Sequence, residues 1–351
     1  LYVNPTEFPF YGCLFVPIYL YTLKFLVNLF NVDSDDIHAI LVVGRLFSFA
    51  LFATQIFIVI TYLRKRFQIK AINILVFILI DLLLITGHMY VVRPDAMKFL
   101  FFTIAVVLLI EYEFFNQKNS YLLSFLIIST LTVYIKQDML VYISIIIGSM
   151  MLLTRKLKYA LLLTVFITLV CSVFIILTSI FGDYFYTNVI LFNFQKATQF
   201  YTSINILFVV FSLSRILPLY LVAFFVVRKF KIDLFKDALL KYLFFITTAL
   251  LVISHVFMLR AGSYINYAFE SIFLLLFLGL IVIYKINEQL LITKTIKFGT
   301  VLYVLFLLLT NFVIHSYSYS FDKEDKVKTE YYNSIQTANK IKSYVKENVV
   351  F

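Results

Sequence analysis

Residues 39–66 read AILVVGRLFSFALFATQIFIVITYLRKR, a long apolar run that ends on a basic triplet. A helix needs about 20 apolar residues to cross the hydrocarbon core of a bilayer, and this run supplies them. Comparable runs recur along nearly the whole chain, which is 62% hydrophobic with a mean hydropathy of +0.97. Because no soluble core requires so much apolar surface, the sequence predicts an integral membrane protein built from helices.

The predicted fold class is an all-α membrane protein, a polytopic helical bundle of about ten spanning helices. The spans are expected at Ala39–Tyr62, Ala71–Val91, Asp95–Tyr112, Ser120–Ile135, Met139–Leu153, Tyr159–Phe181, Ile204–Val227, Leu240–Leu259, Glu270–Tyr284 and Phe298–His315. Residues 1–38 are expected to form an extracytoplasmic loop and an outer-face juxtamembrane helix over Tyr11–Phe30. Residues 39–318 would hold the transmembrane bundle, and residues 319–351 would begin an extracytoplasmic soluble segment. Because the chain opens at Leu1 without a first span, we expect that span and the end of the outer domain to be missing.

The basic residues predict the orientation of the bundle, because cytoplasmic loops of membrane proteins are enriched in lysine and arginine. Alternate loops contain more than half of the chain's 30 basic residues. They are Arg64, Lys65, Arg66, Lys70, Lys118, Arg155, Lys156, Lys158, Arg228, Lys229, Lys231, Lys236, Lys241, Lys285, Lys294 and Lys297. This face is predicted to be cytoplasmic in a multi-pass protein of the plasma (inner) membrane. The net charge of +11 then indicates topology, and no nucleic-acid partner is expected.

The opposite face carries mixed charge close to the predicted helix ends. Its members are Glu7, Asp33, Asp35, Asp36, Arg93, Asp95, Lys136, Asp138, Asp183, Arg260 and Glu270, and all four histidines fall towards it. Such charges are costly in a mere scaffold but suit a site for a charged headgroup. We therefore expect the functional site at the extracytoplasmic mouth of the bundle.

Two short turns on this face hold a cation beside a carboxylate. The first is Arg93-Pro94-Asp95, in which proline fixes the turn geometry, and the second is Lys136-Gln137-Asp138. An interfacial turn with a local ion pair would explain either one alone. Two such turns on one face favour a functional role.

A third segment on the same face, residues 259–270, reads LRAGSYINYAFE. Arg260 can hold phosphate oxygens through two parallel hydrogen bonds. The candidates for binding sugar or acceptor hydroxyls are Gln137, Tyr264, Asn266, Tyr267 and Glu270. A belt of interfacial aromatic residues is the simpler interpretation, but it explains the tyrosines and not Arg260 together with Asn266.

Other polar features point to no further cofactor. Asp81 and Arg215 fall near the middle of predicted spans, where a charge needs a partner, so they are expected to pair as a brace or a relay. Cys13, Cys171 and the histidines lack the spacing of metal ligands. Residues 33–36, Asp-Ser-Asp-Asp, are a candidate site for a divalent cation. Acidic loops of this kind also cap helices, which is the alternative interpretation. A cytoplasmic nucleotide site is unsupported, because no P-loop or GxGxxG is present.

The motifs on the outer face resemble, in order along most of the chain, those of the membrane-spanning class C glycosyltransferases. The resemblance is to the bacterial branch related to protein O-mannosyltransferases and the lipid A aminoarabinose transferase. Asn4–Tyr11 resembles the family's Tyr-Pro-Pro-Leu region, and Gly44–Ser48 resembles its Arg-Leu-Pro-Ser helix start. Arg93-Pro94-Asp95 resembles the segment around the family's second outer-loop Asp, and Lys136-Gln137 resembles its Thr-Lys-Gly or Thr-Lys-Gln turn. Gly262–Glu270 resembles a Gly-x-x-x-Asn-Tyr-x-x-Glu pattern of this branch.

This resemblance implies transfer of a sugar from a polyprenyl-phosphate donor to a glycan, lipid or protein acceptor at the extracytoplasmic face. Arg93, Lys136 and Arg260 would then bind the donor phosphate. Asp95 and Glu7 are the candidate catalytic residues. The donor is the implied partner, with a divalent cation left open as a cofactor.

The chain departs from the family pattern at two places. The family's catalytic acidic residue normally lies in a first outer loop, which would precede Leu1 here. Some members also carry a lysine before the double proline, and none is present at Phe10-Tyr11-Gly12-Cys13. The general base of the reaction is therefore not assigned from the sequence.

Two other function classes compete with the transferase. A lipid-linked oligosaccharide polymerase would use the same basic residues of the outer face. A flippase or transporter would bind its substrate near the membrane midplane, usually on broken helices in related repeats. The sequence shows no convincing repeat, and only Asp81 and Arg215 are predicted to lie so deep. A purely structural membrane subunit is the remaining alternative.

Overall fold

The structure is a computed structural model that describes residues 17–33, 36–85, 94–187, 189, 202–229, 233–259, 265–287 and 303–309. Within these ranges all regular structure is helical and no strand occurs, as the hydropathy pattern predicts. The helices are α1 (Pro17–Leu29), α2 (Ile37–Phe67), α3 (Ala71–Ile85), α4 (Asp95–Ile110), α5 (Asn119–Val133), α6 (Met139–Thr154), α7 (Leu157–Phe181), α8 (Asp183–Tyr186), α9 (Thr202–Lys229), α10 (Ala238–Met258) and α11 (Phe269–Asn287). A π-helical turn, Glu111–Asn116, extends α4, and a 3₁₀ turn, Ile265–Ala268, precedes α11.

Four of these helices are long and apolar enough to cross a membrane, namely α2, α4 with its π-helical extension, α7 and α10. The apolar parts of α3, α5, α6 and α11 are shorter. Large apolar side chains such as Phe57, Leu161 and Ile180 are exposed on the long helices, as expected where lipid replaces water. The protein is therefore an α-helical membrane protein. Ten spans stay a prediction beyond the four that the described residues support.

Helix α11 forms the centre of the bundle, because its apolar residues are buried on every side. Its Phe273 ring lies 5.8 Å from that of Phe99 on α4, and its Phe277 ring stacks 6.2 Å from that of Tyr62 on α2. A helix that is apolar all round has to be covered by protein or by lipid, and here neighbouring helices cover it. This packing fixes the first turn of α11 against the start of α4.

Helix α1 corresponds to the predicted juxtamembrane helix. It covers Pro17–Leu29, within the predicted Tyr11–Phe30, while residues 11–16 lie outside the described ranges. Tyr19 is buried against Met97 at the start of α4 and Ile135 after α5. The described part of α1 has 13 residues, and it packs at the same end of the bundle as the start of α4. The predicted soluble segment, residues 319–351, lies outside the described part of the chain.

Candidate functional site

Charged residues from three segments meet at the N-terminal end of α4. Asp95 and Lys98 lie three residues apart on α4 and therefore share one face of the helix. The turn between α5 and α6 contributes Lys136 and Asp138, and the first turn of α11 contributes Glu270. We call these five residues the N-end cluster. None of their side chains is more than 12% exposed.

Lys136 and Asp95 form the more accessible pair of the N-end cluster. Nζ of Lys136 donates a hydrogen bond to Oδ1 of Asp95 at 2.7 Å and lies 3.8 Å from Oδ2 of Asp138. Burial acts to lower the pKa of Lys136, but attraction to these two carboxylates outweighs it and raises the pKa above its ordinary value. Lys136 therefore remains a cation under all ordinary conditions.

Lys98 and Glu270 form the deeper pair, and both side chains are fully buried. Nζ of Lys98 lies 2.8 Å from Oε1 of Glu270, 3.7 Å from Oδ2 of Asp138 and 3.9 Å from Oδ1 of Asp95. Taking a charge out of water costs several kcal/mol unless nearby groups compensate it. Lys98 is therefore held by carboxylates from all three segments, and it ties those segments together.

Aromatic rings enclose the two lysines. Nζ of Lys136 lies 4.5 Å from the ring centre of Tyr267, and Nζ of Lys98 lies 5.8 Å from it. Tyr142 on α6 donates a hydrogen bond to the carbonyl of Tyr267 at 2.9 Å, and Phe257 on α10 packs 5.9 Å from both tyrosine rings. The faces of these rings attract cations. The same contacts fix the 3₁₀ turn that leads into α11.

Helix α1 borders the N-end cluster through Tyr19. Burial raises the pKa of Tyr19 to about 12, and the negative charge of Asp95 acts in the same direction. Tyr19 is therefore a neutral phenol near the cluster at physiological pH. The predicted juxtamembrane helix thus belongs to the same end of the bundle as the predicted site.

The structure brings together four of the predicted site residues, namely Asp95, Lys136, Tyr267 and Glu270. Gln137 follows Lys136 in the turn, and its Nε2 donates to the backbone carbonyl of Val189 at 3.4 Å. Of the remaining candidates, Glu7, Arg93, Arg260 and Tyr264 lie outside the described residues. Asn266 lies in the 3₁₀ turn, where only its backbone is described.

Lys98 belongs to none of the outer-face motifs, although it lies within 3.9 Å of all three carboxylates of the N-end cluster. Two signals in the sequence point to it. A lysine inside an apolar span indicates a functional or paired group. Its spacing of three residues from Asp95 also places both side chains on one helix face.

The predicted pairing of Asp81 with Arg215 is wrong. Both residues are described and buried, but no ion pair joins them. Arg215 on α9 instead donates from Nη2 to the backbone carbonyl of Leu83 at 2.6 Å, two residues beyond Asp81 on α3. Two residues at a similar depth in the membrane need not face each other, because each helix can also be rotated about its own axis.

The acidic stretch at residues 33–36 begins a helix. Asp36 is the N-cap of α2, and its side chain accepts a hydrogen bond from the backbone N–H of Ala39 at 2.9 Å. This contact fits the capping interpretation of the stretch, of which residues 34 and 35 are not described. No group of three His, Cys, Asp or Glu residues within the described ranges is arranged to hold a metal ion.

A second set of charges lies at the other end of α4, about 24 Å away at 1.5 Å per residue between Asp95 and Glu111. We call it the C-end cluster, and its members are Arg66, Glu111, Glu113, Lys156 and Lys158. Nε of Arg66 donates to Glu111 at 2.7 Å, and Nζ of Lys158 donates to Glu113 at 2.8 Å. The three cations come from loops predicted to be cytoplasmic. Their separation from the N-end cluster agrees with the predicted alternation of faces.

Comparisons of the chain with protein-family models, with curated proteins and with solved structures give no match.

Proposed function

We propose that this protein is a membrane glycosyltransferase that moves a sugar from a polyprenyl-phosphate donor to an acceptor at the extracytoplasmic face of the plasma membrane. One observation carries the proposal. Asp95, Lys136, Tyr267 and Glu270 belong to separate motifs of the sequence, and they lie together at one end of the bundle. The same end receives α1, as expected for a helix that lies along the membrane surface.

The donor in this proposal is anionic and sits at headgroup depth. Lys136 is 12% exposed and Lys98 is fully buried, so Lys136 is the lysine that a headgroup would reach. Lys136, Arg93 and Arg260 bind the donor phosphate and offset the negative charge that develops on the leaving group. In sequence, the two arginines directly adjoin described segments, at Pro94 and Leu259.

The other candidates surround this phosphate site. Asp95 holds Lys136 through its short ion pair and orients the acceptor or the sugar. The remaining assigned contacts to sugar or acceptor hydroxyls are Gln137, Tyr264, Asn266, Tyr267 and Glu270. Glu7 stays a candidate catalytic residue, and a divalent cation stays a candidate cofactor.

The location of the N-end cluster favours the enzyme over a transporter. Transporters place their sites near the membrane midplane. The cluster instead occupies the first turns of α4 and α11 and the turn between α5 and α6, all at one end of the bundle. A lipid-linked oligosaccharide polymerase would use the same donor site. The two activities differ in the length of the glycan product, because a single-sugar transferase adds only one sugar.

The proposal is tested by the binding of labelled polyprenyl-phosphate hexoses and pentoses to the detergent-solubilised protein. Lys136→Ala removes a charge-assisted hydrogen bond to the donor phosphate. We expect a loss of about 1.5 to 3 kcal/mol, which is a roughly ten- to hundredfold weaker affinity. The melting temperature of each variant is measured first, so that only folded protein enters the binding assay.

Lys158 provides a closely matched control at the other end of α4. Its ion pair with Glu113 measures 2.8 Å, and its Nζ lies 4.6 Å from the ring centre of Tyr112. Lys136 makes the equivalent contacts at 2.7 Å and 4.5 Å. Lys158→Ala should leave donor affinity unchanged within about threefold. A parent protein that binds no donor, or equal losses in the two variants, would refute the proposed site.

A further inference from the structure

The three carboxylates of the N-end cluster differ in how they are paired. Asp95 accepts a hydrogen bond from Lys136 at 2.7 Å, and Glu270 lies 2.8 Å from Nζ of Lys98. Asp138 lies 3.7 Å from Lys98 and 3.8 Å from Lys136, beyond the usual range for a charge-assisted hydrogen bond. Both oxygens of Asp138, like both oxygens of Glu270, are buried without a hydrogen bond from any described residue. Glu270 nevertheless has Nζ of Lys98 at 2.8 Å, whereas Asp138 has no lysine nitrogen closer than 3.7 Å, so the lone pairs of Asp138 are the ones left for a ligand.

Asp138 also does not take the structural role that its position offers. It is the N-cap of α6, where an aspartate usually accepts hydrogen bonds from backbone N–H groups, but its side chain makes no such bond. Asp36 and Asp237 occupy the same position on α2 and α10, and both accept such bonds. The carboxylate of Asp138 lies instead between the two lysines of the N-end cluster. Helix capping therefore does not explain this side chain.

The cluster also has one carboxylate more than its ammonium groups can pair at short distance. Two lysines face three carboxylates among the described residues, and each lysine has one short partner. Asp138 is the carboxylate in excess. A buried carboxylate without a hydrogen bond is unfavourable, and such groups are concentrated at sites that bind or react.

We infer that Asp138 is the proton acceptor for the acceptor hydroxyl, an inference that rests on the glycosyl transfer proposed above. The proton of that hydroxyl moves to a carboxylate oxygen of Asp138 while the acceptor oxygen bonds to the anomeric carbon of the donor. The bond between this carbon and the phosphate oxygen breaks, and its electron pair stays on the phosphate. The phosphate gains one negative charge and Asp138 loses one, so charge is conserved. Lys136, next to Asp138, offsets the charge on the phosphate.

The test uses membranes that contain the protein and their own acceptors. A labelled polyprenyl-phosphate hexose or pentose is added, and the release of free polyprenyl phosphate is measured. Asp138→Asn preserves the shape of the side chain and removes the base, so kcat should fall by about 100- to 10,000-fold. Donor affinity should change by less than about threefold, because the inferred role of Asp138 is towards the acceptor hydroxyl and not towards the phosphate. Asp237→Asn, at a capping aspartate outside the cluster, should keep the turnover of the parent.

Chemical rescue separates the role of base from a structural role. In Asp138→Ala the side-chain carboxylate is missing, and sodium formate should restore part of the turnover by supplying one. Formate should not rescue Asp95→Ala, because that variant loses the partner of Lys136. If Asp138→Asn does not fold, Asp138→Glu provides the second variant and should keep measurable turnover because it retains a carboxylate.

The outcomes separate this inference from the proposed function. A folded Asp138→Asn with turnover within about tenfold of the parent would overturn the role of Asp138 while leaving the transferase intact. The same follows if Asp138→Glu is folded and inactive while formate fails to restore Asp138→Ala. If the parent itself releases no polyprenyl phosphate from any donor, the glycosyltransferase proposal fails, and the inference fails with it.

Discussion

The two ends of α4 both carry clusters of charge, but the clusters differ in their access to solvent. In the C-end cluster the cations Arg66, Lys156 and Lys158 are 33%, 48% and 34% exposed. In the N-end cluster no side chain exceeds 12%. An ion pair with one solvated partner costs little to form and contributes little, whereas burying both partners carries a large desolvation penalty. The N-end cluster is therefore the energetically expensive one.

Pairing differs between the ends as well. At the C-end, Glu113 is contacted by Lys156, Lys158 and the hydroxyl of Tyr159, so the carboxylate is fully satisfied. At the N-end, Asp138 receives no hydrogen bond from the described residues. A cluster that only anchors helices can be completed at low cost, as the C-end shows. The incomplete and buried cluster is the one to expect at a functional site.

The largest effect predicted from this comparison is an all-or-none difference in labelling between the ends of α7. Lys156 lies just before this helix and Asp183 just after it, and both are exposed. A cysteine at Lys156 should react with a membrane-impermeant maleimide only in opened cells, because that end is predicted to be cytoplasmic. A cysteine at Asp183 should react in intact cells. Cys13 and Cys171 are first replaced by serine, so that only the introduced thiol is detected.

Labelling of the cysteine at Lys156 in intact cells would reverse the comparison. The N-end cluster would then face the cytoplasm, and an extracytoplasmic donor could not reach it. Equal labelling of both positions in intact cells would show that α7 does not cross the membrane at all.

The second prediction compares the stability of lysine variants from the two ends. Lys98→Met leaves Glu270 buried beside an apolar side chain, so it should cost about 3 to 5 kcal/mol of unfolding free energy. Lys156→Met should cost less than about 1 kcal/mol, because Lys156 is half exposed and Glu113 keeps Lys158. Both values are measured by denaturant unfolding of the detergent-solubilised protein.

A double variant sharpens this prediction. Lys98→Met combined with Glu270→Gln removes both buried charges and should recover much of the lost stability, because neutral groups of similar volume often replace a buried pair without penalty. A double variant as unstable as Lys98→Met would show that the loss comes from packing and not from charge. Equal costs for Lys98→Met and Lys156→Met would refute the contrast between the ends.

The helices of this fold follow closely from the sequence, because run length and hydropathy decide whether a segment can lie in lipid. The span predicted at Tyr159–Phe181 is found as Leu157–Phe181. The π-helical turn after α4 was not predicted. In this turn Glu111 contacts Arg66 and Glu113 contacts Lys158. Both partners are far away in sequence, and a hydropathy pattern carries no information about such contacts.

The proximity of the residues in the N-end cluster follows from the sequence only in part. Asp95 and Lys136 stood out because they occupy polar turns, and turns on one face of a bundle come close together. The sequence does not indicate the ion pairs of Lys98, because its neighbours in sequence are mostly apolar. Its partner Glu270 lies on α11, far away in sequence. The predicted pair of Asp81 and Arg215 failed because depth in the membrane does not define the direction in which a side chain points.

The smallest predicted effect is a difference in salt dependence between the two clusters. Salt shortens the Debye length to about 3 Å at about 1 M, and it therefore weakens charge pairs that water can reach. Lys158→Met should cost about 1 kcal/mol in about 0.02 M salt and almost nothing in about 1 M salt. The cost of Lys98→Met should stay the same, because this lysine and Glu270 are fully buried. Each cost is taken as the difference between variant and parent at the same salt concentration, which cancels the general effect of salt on folding. Equal salt dependence for the two variants would mean that water reaches the N-end cluster, and its burial could then no longer distinguish it from the C-end cluster.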